Sequence, residues 1–184
     1  QLSTVRYLGD NSLLDNWCLG TTPYGTTTEL GSPGDFNGVC VGTVLYTEDF
    51  ETDPAWTTDA LCATTATCDW EWGTPTTVGP TACADGTGCI GTDMDANYDN
   101  SSAGTTNYIQ AGPFDLSAVT EAFLGFDMWM STESCCDGGW VEVSSDGTTF
   151  SRLDAGNPPY NGSGNTQWRG DFGTDWLPVL ADLT

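Results

Sequence analysis

Positive charge is almost absent from this 184-residue sequence. It has no Lys, no His and three Arg, against 26 Asp and Glu, and its formal net charge at pH 7 is −23. A surface of that sign repels nucleic-acid phosphates and anionic membrane headgroups, so we expect neither as a partner. The partners that fit this charge are divalent cations, neutral glycans and other protein surfaces, including further copies of the chain.

The lack of histidine removes much catalytic chemistry. Without an imidazole there can be no Ser-His-Asp triad, no His-ligated zinc and no His-ligated haem, so catalysis would depend on carboxylates. No apolar run reaches the roughly 18 residues of a membrane-spanning helix, and we expect no membrane insertion. The chain opens with Gln and shows no signal-peptide pattern, which predicts a mature, processed form.

The eight cysteines predict disulfides and an oxidising, extracellular location. Two pairs close short loops, "CATTATC" and "CADGTGC", and we expect the bridges Cys62–Cys68 and Cys83–Cys89. For the other four, Cys18–Cys40 follows by elimination, and Cys135–Cys136 would be a bridge between neighbours. Spacing alone leaves the connectivity open.

Short strand-like runs, separated by Gly, Pro, Asp and Asn, dominate the chain from Thr43 onward. In "EAFLGFDMWM", alternate residues from Ala122 to Met130 are apolar and predict a core-facing side, while Asp127 lies on a mixed opposite side. "GWVEVSS" alternates in the same way, and "SSDGTT" predicts a hairpin after it. The pattern predicts an all-β, two-sheet antiparallel sandwich.

Several stretches resemble, in order and spacing, the MAM-like jelly-roll domains appended to secreted bacterial proteins, including immune-inhibitor-A-type metallopeptidases. The stretches are "EDFETD", "WEWGTP", "GTDMDANYDN", "YIQAGPFDLS", "LGFDMWM" and "CDGGWVEVSSDG". The resemblance covers residues 43–184 and implies a non-catalytic jelly roll, often with a structural Ca²⁺.

The resemblance leaves residues 1–42 outside the domain, as a loop-rich extension. The family pattern also continues past the end of this sequence, so we expect the jelly roll to lack its last strands. "STVRYLG" in the extension could then be donated to an open sheet edge of a neighbouring subunit.

Acidic residues provide the candidate metal ligands. The resemblance implies that Glu51 and Asp53 bind Ca²⁺, with an oxygen near Asp93 or Asp137 completing the shell, because Ca²⁺ takes about six to eight oxygens. The alternative is a solvated acidic edge that deters aggregation. For Asp137, we expect its main duty to be a sharp turn.

Two tryptophans and two sequons are the remaining candidates. Trp70 and Trp72 share one face of a short strand and could stack on sugar rings, or could belong to the core. "NSS" at Asn100 and "NGS" at Asn161 are N-glycosylation sequons.

These features predict a non-catalytic extracellular module, secreted or at the cell surface, with a structural or adhesive role in a surface assembly or filament. One alternative is an accessory glycan- or protein-binding domain of a secreted hydrolase or peptidase. A second is a carboxylate-only glycoside hydrolase, which would need two carboxylates facing each other in a cleft.

Overall fold

The computed structural model describes residues 2–9, 11–22, 41–58, 70–77, 79–96, 107–164 and 166–183, and this part of the chain is all-β. Its strands in chain order are β1 (Leu2–Leu8), β2 (Ser12–Thr22), β3 (Val41–Glu48), β4 (Thr57–Thr58), β5 (Trp70–Gly73), β6 (Cys89–Thr92), β7 (Tyr108–Asp115), β8 (Phe123–Met130), β9 (Trp140–Ser144), β10 (Ser151–Arg152), β11 (Ala155–Asn157) and β12 (Leu177–Asp182). None of the described residues forms a helix with the length and apolarity needed to span a bilayer.

The strands form two antiparallel sheets packed as a sandwich, which confirms the predicted fold class. The five-stranded sheet has the order β10-β9-β1-β7-β4. The seven-stranded sheet has the order β11-β12-β8-β2-β6-β5, with β3 also paired to β2.

The main core lies between the sheets and follows the alternation of the strands. In β8, Phe126 and Met128 point inward and are fully buried, as predicted. The Phe126 ring stacks on Trp17 of β2 with 5.2 Å between ring centroids, and it meets Tyr7 of β1 edge-on at 6.0 Å. Burying each such side chain contributes about 1.5–3 kcal/mol, so this layer is a major source of stability.

A second, smaller core covers the outer face of the seven-stranded sheet. Leu13 of β2 and Trp129 of β8 pack there against Met94, Trp176 and the Cys83–Cys89 disulfide. Since Leu13 and Trp129 alternate with main-core residues along their strands, both faces of this sheet are buried here. The mixed face that the sequence predicted for Asp127 is therefore covered.

The N-terminal strands require a correction. The sequence predicts that residues 1–42, which contain β1 and β2, lie outside the domain as an extension, and that "STVRYLG" within it could be donated. Instead, β1 pairs with β7 on one side and β9 on the other, and β2 lies between β8 on one side and β6 and β3 on the other. These strands hold the centre of both sheets within their own chain, so a boundary at residue 42 is wrong and β1 is not free for donation.

Candidate functional site

The carboxylates of Glu51 and Asp53 cap turns. Glu51 accepts hydrogen bonds from the backbone N–H of Thr87 (2.8 Å) and of Gly88 (3.0 Å), and from the Thr87 hydroxyl (3.1 Å). These bonds, led by the one from Gly88, lower the pKa of Glu51. Asp53 accepts from the backbone N–H of Ala55 at 2.8 Å. Glu51 thus ties the segment before β4 to the loop closed by Cys83–Cys89.

The four predicted calcium ligands do not form one site. Asp93 has a positive φ of 45°, and its carbonyl accepts from the N–H of Ala96 in a turn. In the part of the chain that the structure describes, no three of these carboxylates bring their oxygens within 4.8 Å of one another. The described structure therefore does not bring three of these carboxylates together, and calcium binding by Glu51 and Asp53 with an oxygen near Asp93 or Asp137 stays a prediction.

Among the described residues, three potential metal ligands lie close together, but a disulfide makes two of them unavailable. Glu133, Cys135 and Cys136 lie close together and are exposed. The two sulfurs are bonded to each other, so they are not available as thiolates. Cys135 and Cys136 lie in a bend just before Asp137.

The two predicted ligand-binding tryptophans separate into different roles. Trp70 is 6% exposed and packs edge-on against Tyr7, with 5.8 Å between ring centroids. Trp70 therefore belongs to the core, which is the alternative that the sequence left open. Trp72 is 40% exposed, and its indole N–H donates to the carbonyl of Phe50 at 2.6 Å. A stacking platform of two exposed rings is not formed, because one of the rings is buried.

The structure pairs Cys83 with Cys89 and Cys135 with Cys136, the pairs that the sequence suggested. Cys18 is also disulfide-bonded. The remaining predicted partners, Cys40, Cys62 and Cys68, lie outside the described residues, as does the sequon at Asn100.

The second sequon, at Asn161, is exposed and has a structural contact. Its side-chain oxygen accepts from the backbone N–H of Arg169 at 2.7 Å, and its amide donates to the Arg169 carbonyl at 3.0 Å. The Asn161 side chain therefore holds the backbone at Arg169 through two hydrogen bonds.

A buried pair of carboxylates was missed by the sequence analysis. Asp15 of β2 and Asp127 of β8 are opposite each other in register and both are fully buried. Asp15 accepts from the backbone N–H of Asn16 (2.8 Å) and of Asp85 (3.0 Å), while Asp127 accepts from the Asn16 amide at 3.0 Å. Burial, opposed by these hydrogen bonds and aided by the charge of Asp127, raises the pKa of Asp15 to about 7.

An aromatic groove was also missed. It forms where β4 and β7 diverge: Thr57 pairs with Gln110, β7 runs on to Asp115, and the chain before Thr57 turns away at Ala55, which has a φ of 52°. The groove has a volume of about 410 Å³. Its lining residues are Tyr46, Pro54, Ala55, Trp56, Thr57, Gln110, Ala111, Gly112, Pro113 and Phe114.

A chain of hydrogen bonds runs along one wall of the groove. The Trp56 indole N–H donates to the Tyr46 hydroxyl at 3.4 Å, and that hydroxyl donates to a carboxylate oxygen of Glu48 at 3.1 Å. The rings of Tyr46 and Phe114 lie 5.0 Å apart between centroids, tilted by 46°. Burial raises the pKa of the Tyr46 phenol, so it remains a donor to Glu48 at neutral pH.

Comparison with known proteins gives one informative similarity. The chain is 35% identical over 105 residues to Bacillopeptidase F of Bacillus subtilis (strain 168). The matched stretch is 57% of this chain, and it spans 7% of the length of that protein. No protein-family model and no solved structure matches the chain, so the MAM-like resemblance rests on the sequence stretches alone.

Proposed function

We propose that this chain is a non-catalytic accessory domain of an extracellular enzyme. The observation that carries the proposal is the 35% identity over 105 residues to a peptidase of which the match spans only 7%. A stretch of about 100 residues is the size of one domain, which is what a module shared between larger proteins would leave as a similarity.

The disulfides support an extracellular location. Cys83–Cys89 and Cys135–Cys136 are both formed, and such bridges persist in oxidising compartments and are rare in the cytosol. The negative charge of −23 suits a soluble module that has no nucleic-acid partner.

The chemistry of the chain supports a non-catalytic role. It has no histidine for a triad. Its facing carboxylates, Asp15 and Asp127, are fully buried, and Asp15 bonds to the loop at Asp85, whereas a glycoside hydrolase needs its carboxylates on either side of a bound sugar. The role in a surface filament loses its main argument, because β1 is already paired on both sides within the chain.

Hydrolysis assays on the purified chain test this proposal. We expect no release of product from casein, from labelled peptides or from soluble polysaccharides between pH 4 and pH 8, and a mass near 19.5 kDa by light scattering. Hydrolysis that is lost in the Asp15→Asn variant would contradict the proposal in favour of a carboxylate enzyme. Large polymers would favour the filament instead.

A further inference from the structure

The aromatic groove has the composition of a binding site for an organic cation. Three half-buried aromatic rings, those of Tyr46, Trp56 and Phe114, line it, and the Glu48 carboxylate accepts the Tyr46 hydroxyl proton in a hydrogen bond. Ring faces attract cations through their quadrupole, and a nearby carboxylate strengthens that attraction. The volume of about 410 Å³ lies within the range of small-ligand sites.

Elsewhere in the chain, aromatic rings and a carboxylate together surround an arginine. Arg6 lies over the Phe150 ring at 3.7 Å and the Tyr108 ring at 4.9 Å, and its guanidinium bonds to Glu142 at 2.6 Å. Each of these contacts comes from the outer side of the five-stranded sheet. On that side of the sheet, an arginine of the chain itself supplies the cation that contacts the aromatic rings and the carboxylate.

Arg152 repeats the arrangement beside it. Its guanidinium lies over the Trp140 ring at 4.1 Å, and the Trp140 indole donates to Glu142 at 2.8 Å. The three rings line the aromatic groove, and the Glu48 carboxylate lies next to it, bonded to the hydroxyl of Tyr46. Among the described residues, no arginine stacks on those rings. The groove therefore offers aromatic rings beside a carboxylate, and a cation for them would have to come from another molecule.

The shape of the groove favours a peptide as the source of that cation. One wall is the edge of β7 from Ala111 to Phe114, beyond the last pair with β4, and the facing wall is the diverging segment before Thr57. An extended peptide can lie along such an edge while a side chain enters between the rings. Gln110 and Thr57, which pair across β7 and β4, add polar side chains to the lining of the groove.

We propose that the groove binds an arginine or lysine side chain presented by an extended peptide. This deepens the proposed function by naming the partner class of the accessory domain, and it rests on that function for its biological setting. The net charge of −23 adds long-range attraction for basic peptides, while the three rings and Glu48 supply the local recognition.

The test is a titration of the isolated, disulfide-intact chain, followed through the indole N–H signal of Trp56 by NMR. The probe is an acetylated and amidated Gly-Pro-Arg-Pro-Gly peptide, and its matched control carries citrulline, which keeps the shape of arginine without the charge. We expect saturable shifts of the Trp56 signal, with binding of the citrulline peptide weaker by about tenfold or more.

Two variants separate local recognition from general charge attraction. Glu48→Gln removes the charge and keeps one of the two oxygens that accept from the Tyr46 hydroxyl and the Phe50 N–H, and it should weaken binding of the arginine peptide at least about fivefold. Asp154→Asn makes the same change of charge at an exposed residue that neither lines the groove nor bonds to Tyr46, and it should leave binding within about twofold. Equal losses in the two variants would overturn the proposal.

Further results of the titrations would contradict the proposal. Equal binding of the arginine and citrulline peptides, or shifts that bypass Trp56, would refute a cation site. Tetramethylammonium binding as tightly as the peptide would refute the peptide as the occupant, and binding of chitotriose without the peptide would indicate a glycan site. None of these results changes the expectation that the isolated chain lacks hydrolase activity, so the two proposals fail separately.

Discussion

Replacing Asp15 by Asn should alter how the stability of the fold depends on pH. The Asp15 carboxyl is fully buried between β2 and the loop that contains Asp85, and its pKa is raised from 3.8 to about 7. The folded state therefore keeps the proton over a range in which the unfolded chain releases it. The stability from this group is full below pH 4 and is lost as pH rises to about 7.

The size of the effect follows from the two pKa values. The difference between 3.8 and about 7, at about 1.4 kcal/mol for each pH unit, comes to about 4 kcal/mol. Asn has the shape of Asp and no charge, so the Asp15→Asn variant does not lose this stability as the pH rises. Its cost is pH-independent, since the Asn amide replaces one acceptor for the N–H groups of Asn16 and Asp85.

Urea unfolding at constant ionic strength from pH 4 to pH 8 measures the difference. We expect the unfolding free energy of Asp15→Asn, relative to the wild type, to rise by up to about 4 kcal/mol across that range. Asp154→Asn is the control, and its curve should run nearly parallel to that of the wild type because the side chain is exposed. A parallel curve for Asp15→Asn would refute the reasoning.

Three further predictions concern the loop anchor, the disulfides and the core. Glu51→Gln should lower the melting temperature at pH 7, and this loss should shrink as pH falls through the depressed pKa of Glu51. Melting with and without EDTA tests the calcium prediction: a fall with EDTA in the wild type and not in Glu51→Gln would support a bound ion, and no change in either protein would leave Glu51 as a loop anchor alone. Peptide mapping under non-reducing conditions should recover Cys83 joined to Cys89, and a free thiol at either position would contradict the structure. Phe126→Ala should cost about 3–5 kcal/mol in urea unfolding, and a cost below about 1 kcal/mol would mean that Phe126 does not lie in the main core.

Local features of the fold were predictable from the sequence because they depend on neighbouring residues. The alternation around Phe126 and around Val141 predicted both the strands and their buried faces, and the structure confirms them. "SSDGTT" also formed the expected turn, in which Asp146 accepts from the N–H groups of Thr148 and Thr149 at 2.8 and 2.6 Å. Such features are set by the pleat of a strand and by turn chemistry.

The placement of strands was not predictable in the same way. "STVRYLG" and "SLLDNW" read as strands, but their position at the centre of the two sheets depends on pairing with β7, β9 and β8, which lie about 100 residues away. Alternation identifies the faces of a strand and says nothing about which strand lies beside it. The division at residue 42 was wrong for this reason.

The candidate site was missed because its members converge from distant segments. Asp15 and Asp127 meet only once β2 and β8 pair, and 111 residues separate Asn16 from Asp127 along the chain. Tyr46, Trp56 and Phe114 likewise come from three segments and surround a space that exists because β4 leaves β7. The one available signal was "EAFLGFDMWM", in which an acid at Asp127 interrupts an otherwise apolar strand.

The most direct test of the accessory-domain proposal is to recover the native polypeptide that carries this sequence and ask whether it is an enzyme. An antibody raised against the purified chain would be used on the extracellular fluid of the source, and the captured material would be assayed with labelled peptides beside the isolated chain. We predict an antigen larger than 19.5 kDa that hydrolyses peptides, while the isolated chain does not. A captured polypeptide that has no hydrolytic activity, or an antigen found only inside cells, would contradict the proposal.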